Sequence, residues 1–236
     1  LAALVGTPLC DKHPQMAKDT NQFAIENLCS DLSKSKKIIL PVTNSGYGTK
    51  NSEIKCTEET PLNPISIYGK TKVAAEYAVL NRGNAISLRL ATVFGVSSRM
   101  RTDLLVNHFV YEATKKKYLK IFEGHFKRNF VHIEDVSNVI IFVIKNFDKF
   151  KNNCYNFGLE DANLSKLELA KYIQKFIKDL IIEESSSGKD PDQRNYIVSN
   201  QKILNTGFKF EFSLEKGVVE LIKAYEMLPQ DNFCNV

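Results

Sequence analysis

The stretch Lys37-Ile-Ile-Leu-Pro-Val-Thr-Asn-Ser-Gly-Tyr-Gly48, followed by Ser66-Ile-Tyr-Gly-Lys-Thr-Lys72, decides the fold of this 236-residue chain. Its first part is a short apolar run that ends in hydroxyl and amide side chains, which is typical of a buried strand leading into a loop. The segment from Ser66 to Asn81 has helical spacing, and Ala85 to Leu90 is a second apolar run. This alternation predicts an α/β fold in which helices cover a parallel sheet.

The flanking segments continue this pattern less regularly. Leu1 to Gly6 resembles the end of a strand, and a helix is predicted from Pro14 to Leu32. Toward the carboxyl end, Ser165-Lys-Leu-Glu168 is a capping box that opens a helix, and Ser213 is the predicted cap of the last helix. Residues 183–192 are predicted to form a flexible loop.

Composition excludes several classes of function. No apolar run approaches the roughly 20 residues that span a bilayer, and the first residues lack a signal-peptide pattern, so a cytoplasmic protein without membrane contact is expected. Five scattered cysteines without a CxxC pair predict reduced thiols, and four dispersed histidines predict no metal site. The net charge of +5 rests on lysine clusters without interleaved aromatics, which favours a solvated surface over nucleic-acid binding.

The pair of Tyr68 and Lys72 carries the first chemical signal. Residues four apart lie on one face of a helix, so the phenol and the ammonium group are brought together. A nearby ammonium stabilises the phenolate and lowers the tyrosine pKa, which would make Tyr68 a usable base. This spacing alone is weak, because an ordinary surface pair on a helix has the same pattern.

Further motifs stand in a definite order along the chain. They are Pro41-Val-Thr-Asn-Ser-Gly-Tyr-Gly48, Thr57-Glu-Glu-Thr-Pro61 with Asn63-Pro-Ile-Ser-Ile-Tyr68, Ser87-Leu-Arg-Leu-Ala-Thr-Val-Phe-Gly95, Lys127-Arg-Asn-Phe-Val-His-Ile-Glu-Asp135, and Asp192-Gln-Arg194 through to Gly207. Together they resemble the extended short-chain dehydrogenase/reductase family of NAD-dependent epimerases and dehydratases. The resemblance covers most of the chain, since Ala2-Ala3 and Asn21 also fit positions of that family.

The resemblance implies a truncated Rossmann-like parallel sheet with a smaller, mixed C-terminal substrate-binding region. Residues 1–95 would be the carboxyl part of an NAD-binding domain with the catalytic helix. Residues 96–236 would be mainly substrate-binding, with some segments returning to the first domain. The printed residues contain no Gly-rich turn for the pyrophosphate, which family members would place in roughly 70 to 80 residues ahead of Leu1. A fragment is therefore expected.

The resemblance also assigns site residues, and each has a simpler alternative. Catalysis would use Thr43, Tyr68 and Lys72, with Lys72 lowering the Tyr68 pKa and binding the nicotinamide ribose. The NAD cofactor would be bound by Ala2, Ala3, Asn21, Tyr68, Lys72, Leu90 and Ala91. Core packing explains Ala2, Ala3, Leu90 and Ala91 equally well. The substrate would contact Asn44, Asn107 and the phosphate-pairing Arg128 and Arg194, although surface salt bridges would explain either arginine.

Departures from the family pattern narrow the expected reaction. Asn44 and Ser45 stand where 4,6-dehydratases carry an acid and a base, so dehydration is disfavoured. Thr92 and the segment 96–101 differ from a standard UDP-glucose 4-epimerase. The remaining expectation is oxidation at C4 of a GDP- or UDP-linked sugar, by a 4-dehydrogenase or 4-epimerase, and the sequence most resembles dehydrogenases of GDP-heptose pathways for surface polysaccharides. The alternative is a non-catalytic remnant or substrate-binding module.

A homodimer is the expected assembly. In the family, the catalytic helix and the helix before it commonly form a four-helix interface with their counterparts. Apolar Val73, Tyr77 and Leu80 on one helix, with Phe23 and Leu28 on the other, permit such an interface. Burial of these side chains within one chain is the alternative.

Overall fold

The computed structural model describes residues 3–50, 54–185 and 194–228. Its α-helices, in chain order, are α1 (Thr7–Lys12), α2 (Pro14–Lys18), α3 (Ala24–Asp31), α4 (Ile67–Arg82), α5 (Leu105–Lys116), α6 (Ile133–Lys145), α7 (Phe147–Phe150), α8 (Lys166–Gln174), α9 (Gln201–Leu204) and α10 (Leu214–Met227). Its strands are β1 (Ile38–Thr43), β2 (Lys55–Cys56), β3 (Ala85–Leu90), β4 (Thr92–Phe94), β5 (Tyr118–Phe122), β6 (Lys127–His132), β7 (Asn153–Phe157), β8 (Asn163–Ser165), β9 (Ile181–Ser185) and β10 (Ile197–Val198).

A parallel sheet in the order β1, β3, β7 is the centre of the fold. Strand β3 lies in the middle and is buried on both faces, which explains why it reads as an almost continuous apolar run. The three strands end together, because Thr43 pairs with Leu90 and Leu90 pairs with Phe157. Helix α4 covers one face of the sheet and α6 the other. The predicted α/β class with a Rossmann-like parallel sheet is confirmed.

Helix α4 begins and ends where its sequence predicts. The Ser66 hydroxyl caps the first turn by accepting a hydrogen bond from the Gly69 N–H. Gly83 ends the helix at φ 81°, a backbone conformation that glycine adopts without a Cβ clash. The helix packs its inner face against β1 through Ala75 and Val79, which lie in one apolar cluster with Leu40 and Val42. Tyr68 and Lys72 therefore sit on the first two turns of a firmly anchored helix.

A second core forms beyond Gly95, where α5, α8 and α10 enclose the small sheet β4, β6, β8. The capping box at Ser165 and Glu168 is present, and Ser213 caps α10 as predicted. Strand β7 and helix α6 return to the central sheet. A division of the chain near residue 95 stays a prediction.

The expected loop over 183–192 is wrong in its first three residues. Strand β9 pairs in parallel with β5 from Tyr118 to Phe122, and it includes Glu183 and Glu184. The remainder of that loop lies outside the described residues. Acidic side chains disfavour strands in isolation, but these belong to a partly exposed strand whose main chain gains the β5 hydrogen bonds.

The segment ahead of β1 also differs from its prediction. Helical structure begins at Thr7, earlier than expected, and a π-helical turn over Asp19–Phe23 joins α2 to α3. Residues 3–6 form no strand. Leu4 instead hydrogen-bonds the side chain of Asn21, which replaces a strand neighbour for this stretch of main chain.

Candidate active site

Three polar residues follow the carboxyl end of β1. Thr43 is the last residue of the strand, and Asn44 and Ser45 open a short 3-10 turn that ends at Tyr47. The Thr43 Oγ1 atom accepts a hydrogen bond of 3.1 Å from the Ser45 N–H and lies 2.8 Å from the Ser45 Oγ atom. Ligands of open α/β folds bind outside the carboxyl ends of the parallel strands, which is where these residues lie.

Tyr68 reaches this turn from α4. Its phenol lies close enough to the Thr43 side chain for that hydroxyl to lower the Tyr68 pKa, so the hydroxyl groups of Tyr68, Thr43 and Ser45 lie together. Burial raises the pKa of Tyr68, while the positive charge of Arg194 and the bond from Thr43 act in the opposite direction. The phenol is therefore protonated at neutral pH in this structure.

Lys72 follows Tyr68 by one turn of α4, and burial lowers the pKa of its ammonium group. The lowering of the Tyr68 pKa by Lys72 stays a prediction. Lys72 is 8% exposed, and no described residue gives it a hydrogen bond or an ion pair. A buried ammonium group without a partner is unfavourable, and ligand oxygen atoms would satisfy it. This orphaned donor fits the ribose hydroxyls of a dinucleotide.

Of the predicted cofactor residues, Leu90 is the last residue of β3 and Ala91 follows it. Ala3 and Leu90 are half-buried, Ala91 is buried, and Ala2 lies outside the described residues. The Asn21 side chain bonds the N–H and the carbonyl of Leu4 at 2.8 Å each. It also lies 3.5 Å from the Thr71 hydroxyl on α4. Asn21 thus ties the start of the described chain to the catalytic helix, and direct contact with a cofactor stays a prediction.

Two of the predicted substrate residues are used by the fold itself. The Asn107 amide accepts from the Gly95 N–H at 3.0 Å and donates to the Arg101 carbonyl at 3.0 Å, which fixes the loop after β4. The buried Arg128 guanidinium donates to the main-chain carbonyls of Lys127 and Arg194. Both side chains therefore position main-chain groups of the fold, and their contact with substrate stays a prediction.

Arg194 and Asn44 remain consistent with substrate binding. The Arg194 charge acts on the Tyr68 phenol, which places the guanidinium group near that hydroxyl group. Arg128 holds the Arg194 main chain and lies over the Tyr196 ring at 5.9 Å. Asn44 is 1% exposed, and neither its amide nitrogen nor its amide oxygen has a hydrogen-bond partner. Both residues therefore border the same edge of the sheet as Thr43.

Sequence reasoning missed a buried polar network behind the site. Arg89 on β3 forms an ion pair of 2.6 Å with Glu76 on α4 and donates to the Tyr47 hydroxyl at 3.0 Å. Glu76 also accepts from Ser87, and the Tyr47 hydroxyl donates to Asn156 at 2.7 Å. The spacing of four from Tyr68 to Lys72 to Glu76 was the available signal, but it did not identify Arg89 as the partner.

His132 connects three elements of the fold. Its Nδ1 atom accepts from the Glu134 N–H at the start of α6, and its Nε2 atom lies 2.7 Å from Glu220 on α10. The ring stacks on Phe212 with centroids 4.2 Å apart. His132 therefore joins the two cores rather than taking part in the site.

Comparison with known proteins defines the class. The NAD dependent epimerase/dehydratase family matches residues 1–158, and the chain belongs to this family. A dTDP-L-rhamnose 4-epimerase of Burkholderia thailandensis is 28% identical over 173 residues, which cover 70% of this chain and 47% of that protein. An ADP-L-glycero-D-manno-heptose-6-epimerase of Brachyspira hyodysenteriae is 26% identical over 71% of this chain and 55% of its own length. The chain thus spans about half the length of these curated relatives.

Solved structures show the same fold. A dTDP-glucose 4,6-dehydratase of Bacillus anthracis in complex with NAD has a TM-score of 0.77 and 24% identity, over 91% of this chain and 70% of that one. The family is NAD-dependent, and the orphaned Lys72 ammonium described above fits this cofactor. In the described part of the chain, every helix is too short or too polar to cross a membrane.

Proposed function

We propose that this chain carries the catalytic residues of an enzyme that uses NAD to oxidise C4 of a nucleotide-diphosphate sugar. The product would be a 4-keto sugar or a 4-epimer for surface-polysaccharide synthesis. The observation that supports this best is the group of hydroxyls formed by Tyr68, Thr43 and Ser45. Lys72, which is buried and has no partner among the described residues, lies one turn after Tyr68 on α4. Such an arrangement suits removal of a proton from an alcohol.

Each residue has a defined task in this proposal. Once it has lost its own phenol proton, Tyr68 takes the proton from the sugar hydroxyl, and Thr43 hydrogen-bonds the same oxygen and the Ser45 hydroxyl. NAD, when bound, accepts the hydride from the same carbon. Arg194 and Thr43 favour the phenolate form of Tyr68 against the effect of burial. Lys72 hydrogen-bonds the ribose of the cofactor and adds a positive charge near the site.

The proposed nucleotide-diphosphate sugar substrate is supported by the charge of Arg194 and by the similar proteins. Arg194, with its main chain held by Arg128, is the proposed partner of the diphosphate, because a guanidinium group pairs two phosphate oxygens at once. The Burkholderia relative is a sugar-nucleotide 4-epimerase, and MoeE5, a structural neighbour with a TM-score of 0.77 and 22% identity, was solved with UDP-glucose and NAD. Asn44 and Ser45 carry no carboxyl group, which disfavours dehydration.

A homodimer is part of the proposal. Phe23 and Leu28 ahead of β1 and Tyr77 on α4 are 41%, 42% and 53% exposed, although all are large apolar or aromatic side chains. Exposed apolar side chains on both helices would suit the proposed dimer interface. Sedimentation of wild type and Tyr77→Glu would test it, with a dimer expected for wild type and a monomer for the variant.

The test of the reaction is hydride transfer by the full natural protein. NADH formation and sugar products are followed with UDP-, dTDP-, GDP- and ADP-linked sugars, for wild type, Tyr68→Phe and Thr43→Val. We expect one sugar to be oxidised or epimerised at C4, and we expect Tyr68→Phe to lower kcat by at least about a hundredfold. Equal rates in wild type and Tyr68→Phe would contradict the proposal. Binding of a nucleotide sugar without turnover would favour the alternative of a non-catalytic binding module.

A further inference from the structure

Lysine side chains gather at the amino ends of the parallel strands β1, β3 and β7. The strands start together, because Ile38 pairs with Ala85 and Ile86 pairs with Asn153. The segments that lead into β1 and β7 therefore meet at one end of the sheet. They carry six exposed lysines, which are Lys34, Lys36, Lys37, Lys145, Lys149 and Lys151.

Contacts between these segments join them into one surface. The Asn84 amide, directly ahead of β3, donates to the Lys34 carbonyl at 3.2 Å. The Lys37 ammonium lies 3.5 Å from the Asp148 carboxylate and over the Phe147 ring at 4.8 Å from its centroid. The lysines before β1 and those around α7 are therefore neighbours across the end of the sheet. We call residues 31–37, 82–84 and 145–152 the basic face.

The positive charge of the chain is concentrated on the basic face. Its residues include seven cations, the six lysines and Arg82, against the two acids Asp31 and Asp148. This excess of five positive charges equals the formal net charge of +5 of the whole chain, so the remaining residues balance one another. A face with such an excess attracts an anionic partner.

The side chains of the basic face suit a membrane surface better than a nucleic acid. Arg82 is not available as a phosphate fork, because its guanidinium donates to main-chain carbonyls that include those of Lys36 and Gly83. Phe147 and Phe150 are each 3% exposed, so neither ring can stack on a base. The charges left for a partner are ammonium groups on flexible stems, which pair with mobile anionic headgroups without a fixed geometry.

We propose that the basic face binds an anionic phospholipid bilayer and holds the protein at a membrane surface without crossing it. The expectation of no membrane contact rested on the lack of a long apolar run, and electrostatic attachment needs no such run. The candidate active site lies at the carboxyl ends of the same strands, roughly 20 Å away for strands of six residues. Attachment through the basic face therefore leaves that site facing solution, and it does not depend on the reaction proposed above.

Cosedimentation of the full natural protein with lipid vesicles tests the binding. One set of vesicles contains equal parts of phosphatidylglycerol and phosphatidylcholine, and the other contains phosphatidylcholine alone. We expect wild type to bind the anionic vesicles only, and to be released as salt rises from about 50 to about 500 mM, because salt screens exposed charges. Wild type that does not bind the anionic vesicles at low salt, or that binds both sets equally, overturns the proposal.

Two triple variants with the same change in net charge locate the binding surface. Each replaces three exposed lysines that have no ion pair among the described residues, in the basic face by Lys34→Glu, Lys36→Glu and Lys149→Glu, and in the second core by Lys171→Glu, Lys178→Glu and Lys223→Glu. The basic-face variant should bind anionic vesicles at least about tenfold more weakly than wild type, and the second-core variant within about twofold of it. Equal losses would show an effect of net charge alone and would overturn the assignment to the basic face.

Two further measurements complete the test. Lys34→Gln, Lys36→Gln and Lys149→Gln together remove charge without adding any, so this variant should also bind the anionic vesicles more weakly. A glutamine variant that binds like wild type overturns the proposal. Binding of wild type to a DNA duplex is measured at the same phosphate concentration and salt, because phosphates of a nucleic acid also attract lysines. Tighter binding to the duplex than to the vesicles overturns the membrane as the partner.

Discussion

Two successive turns of one face of helix α4 differ in how their buried polar groups are bonded. Toward β3, Glu76 is paired with Arg89 and Ser87, and Arg89 reaches Tyr47. Toward the carboxyl edge of β1, Lys72 has no partner among the described residues. The same face of α4 therefore carries a fully hydrogen-bonded network at Glu76 and, one turn earlier, a group without a partner among the described residues at Lys72.

This difference distinguishes polar residues that stabilise the fold, such as Glu76 and Arg89, from a residue that is available to a ligand, Lys72. A buried ion pair with all its hydrogen bonds gives a specific arrangement of strand and helix, and breaking it is costly. An unpaired buried group adds nothing to stability until a ligand arrives. The comparison predicts that substitutions in the saturated network destabilise the protein, and that substitutions of the unpaired groups stabilise it while weakening binding.

The largest effect is expected from Arg89→Leu. The substitution leaves the Glu76 carboxylate buried and unpaired, which should cost about 3–5 kcal/mol in the free energy of unfolding. Urea denaturation would measure it. The double variant Glu76→Leu with Arg89→Leu should recover much of the loss, since the charge is removed with its partner. A loss of under about 1 kcal/mol in Arg89→Leu would contradict the stabilising role of the Glu76–Arg89 ion pair.

Lys72→Met removes the buried ammonium group that has no partner among the described residues. We expect the free energy of unfolding at neutral pH to rise, because an unpaired buried ammonium is removed, and NAD affinity to fall by at least about tenfold. Burial lowers the pKa of Lys72 below 10.5, so the unfolded chain holds that proton more strongly. Wild type should therefore gain stability as pH rises through the lowered pKa toward 10.5, and Lys72→Met should lack this gain. A less stable Lys72→Met with unchanged NAD affinity would reveal a structural role.

Tyr68→Phe tests how burial of the Tyr68 phenol affects stability at alkaline pH. Burial raises the pKa of Tyr68 above 10.0, so the folded chain keeps a proton that the unfolded chain releases. The stability from this shift is complete below pH 10.0 and is lost as pH rises through the raised pKa. Urea denaturation across this range should show wild type losing stability faster than Tyr68→Phe. The other tyrosines are common to both proteins. Parallel curves of stability against pH would therefore show that folding does not raise the pKa of Tyr68.

The smallest effect is expected from Ser45→Ala. Ser45 lies 2.8 Å from the Thr43 hydroxyl, and loss of one such bond costs about 1 kcal/mol. A double-mutant cycle with Thr43→Val should show coupling between the two residues. Ser30→Ala, in which an exposed bond to the Glu26 carbonyl is lost, serves as the control and should change stability little. Additive effects of Ser45→Ala and Thr43→Val would exclude a hydrogen bond between the two hydroxyl groups.

Local patterns allowed much of the fold to be predicted from the sequence. The strand from Ala85 to Leu90 was placed to the residue, and the caps at Ser165 and Ser213 lie where they were expected. Such features depend on residues within a few positions of one another, so the printed sequence contains the whole signal. The order of the motifs likewise sufficed to predict the family that the comparison with known proteins confirmed.

Only the tertiary structure decided which polar side chains have hydrogen-bond partners within the protein. Arg89 and Glu76 are 13 residues apart, Tyr47 and Asn156 are 109 apart, and Arg128 bonds a carbonyl 66 residues away. No local pattern specifies such partners, because they depend on how distant elements pack. For the same reason the sequence could not show that Asn107 and Arg128 bond main-chain groups of the fold, or that the Lys72 and Asn44 side chains have no hydrogen-bond partner among the described residues.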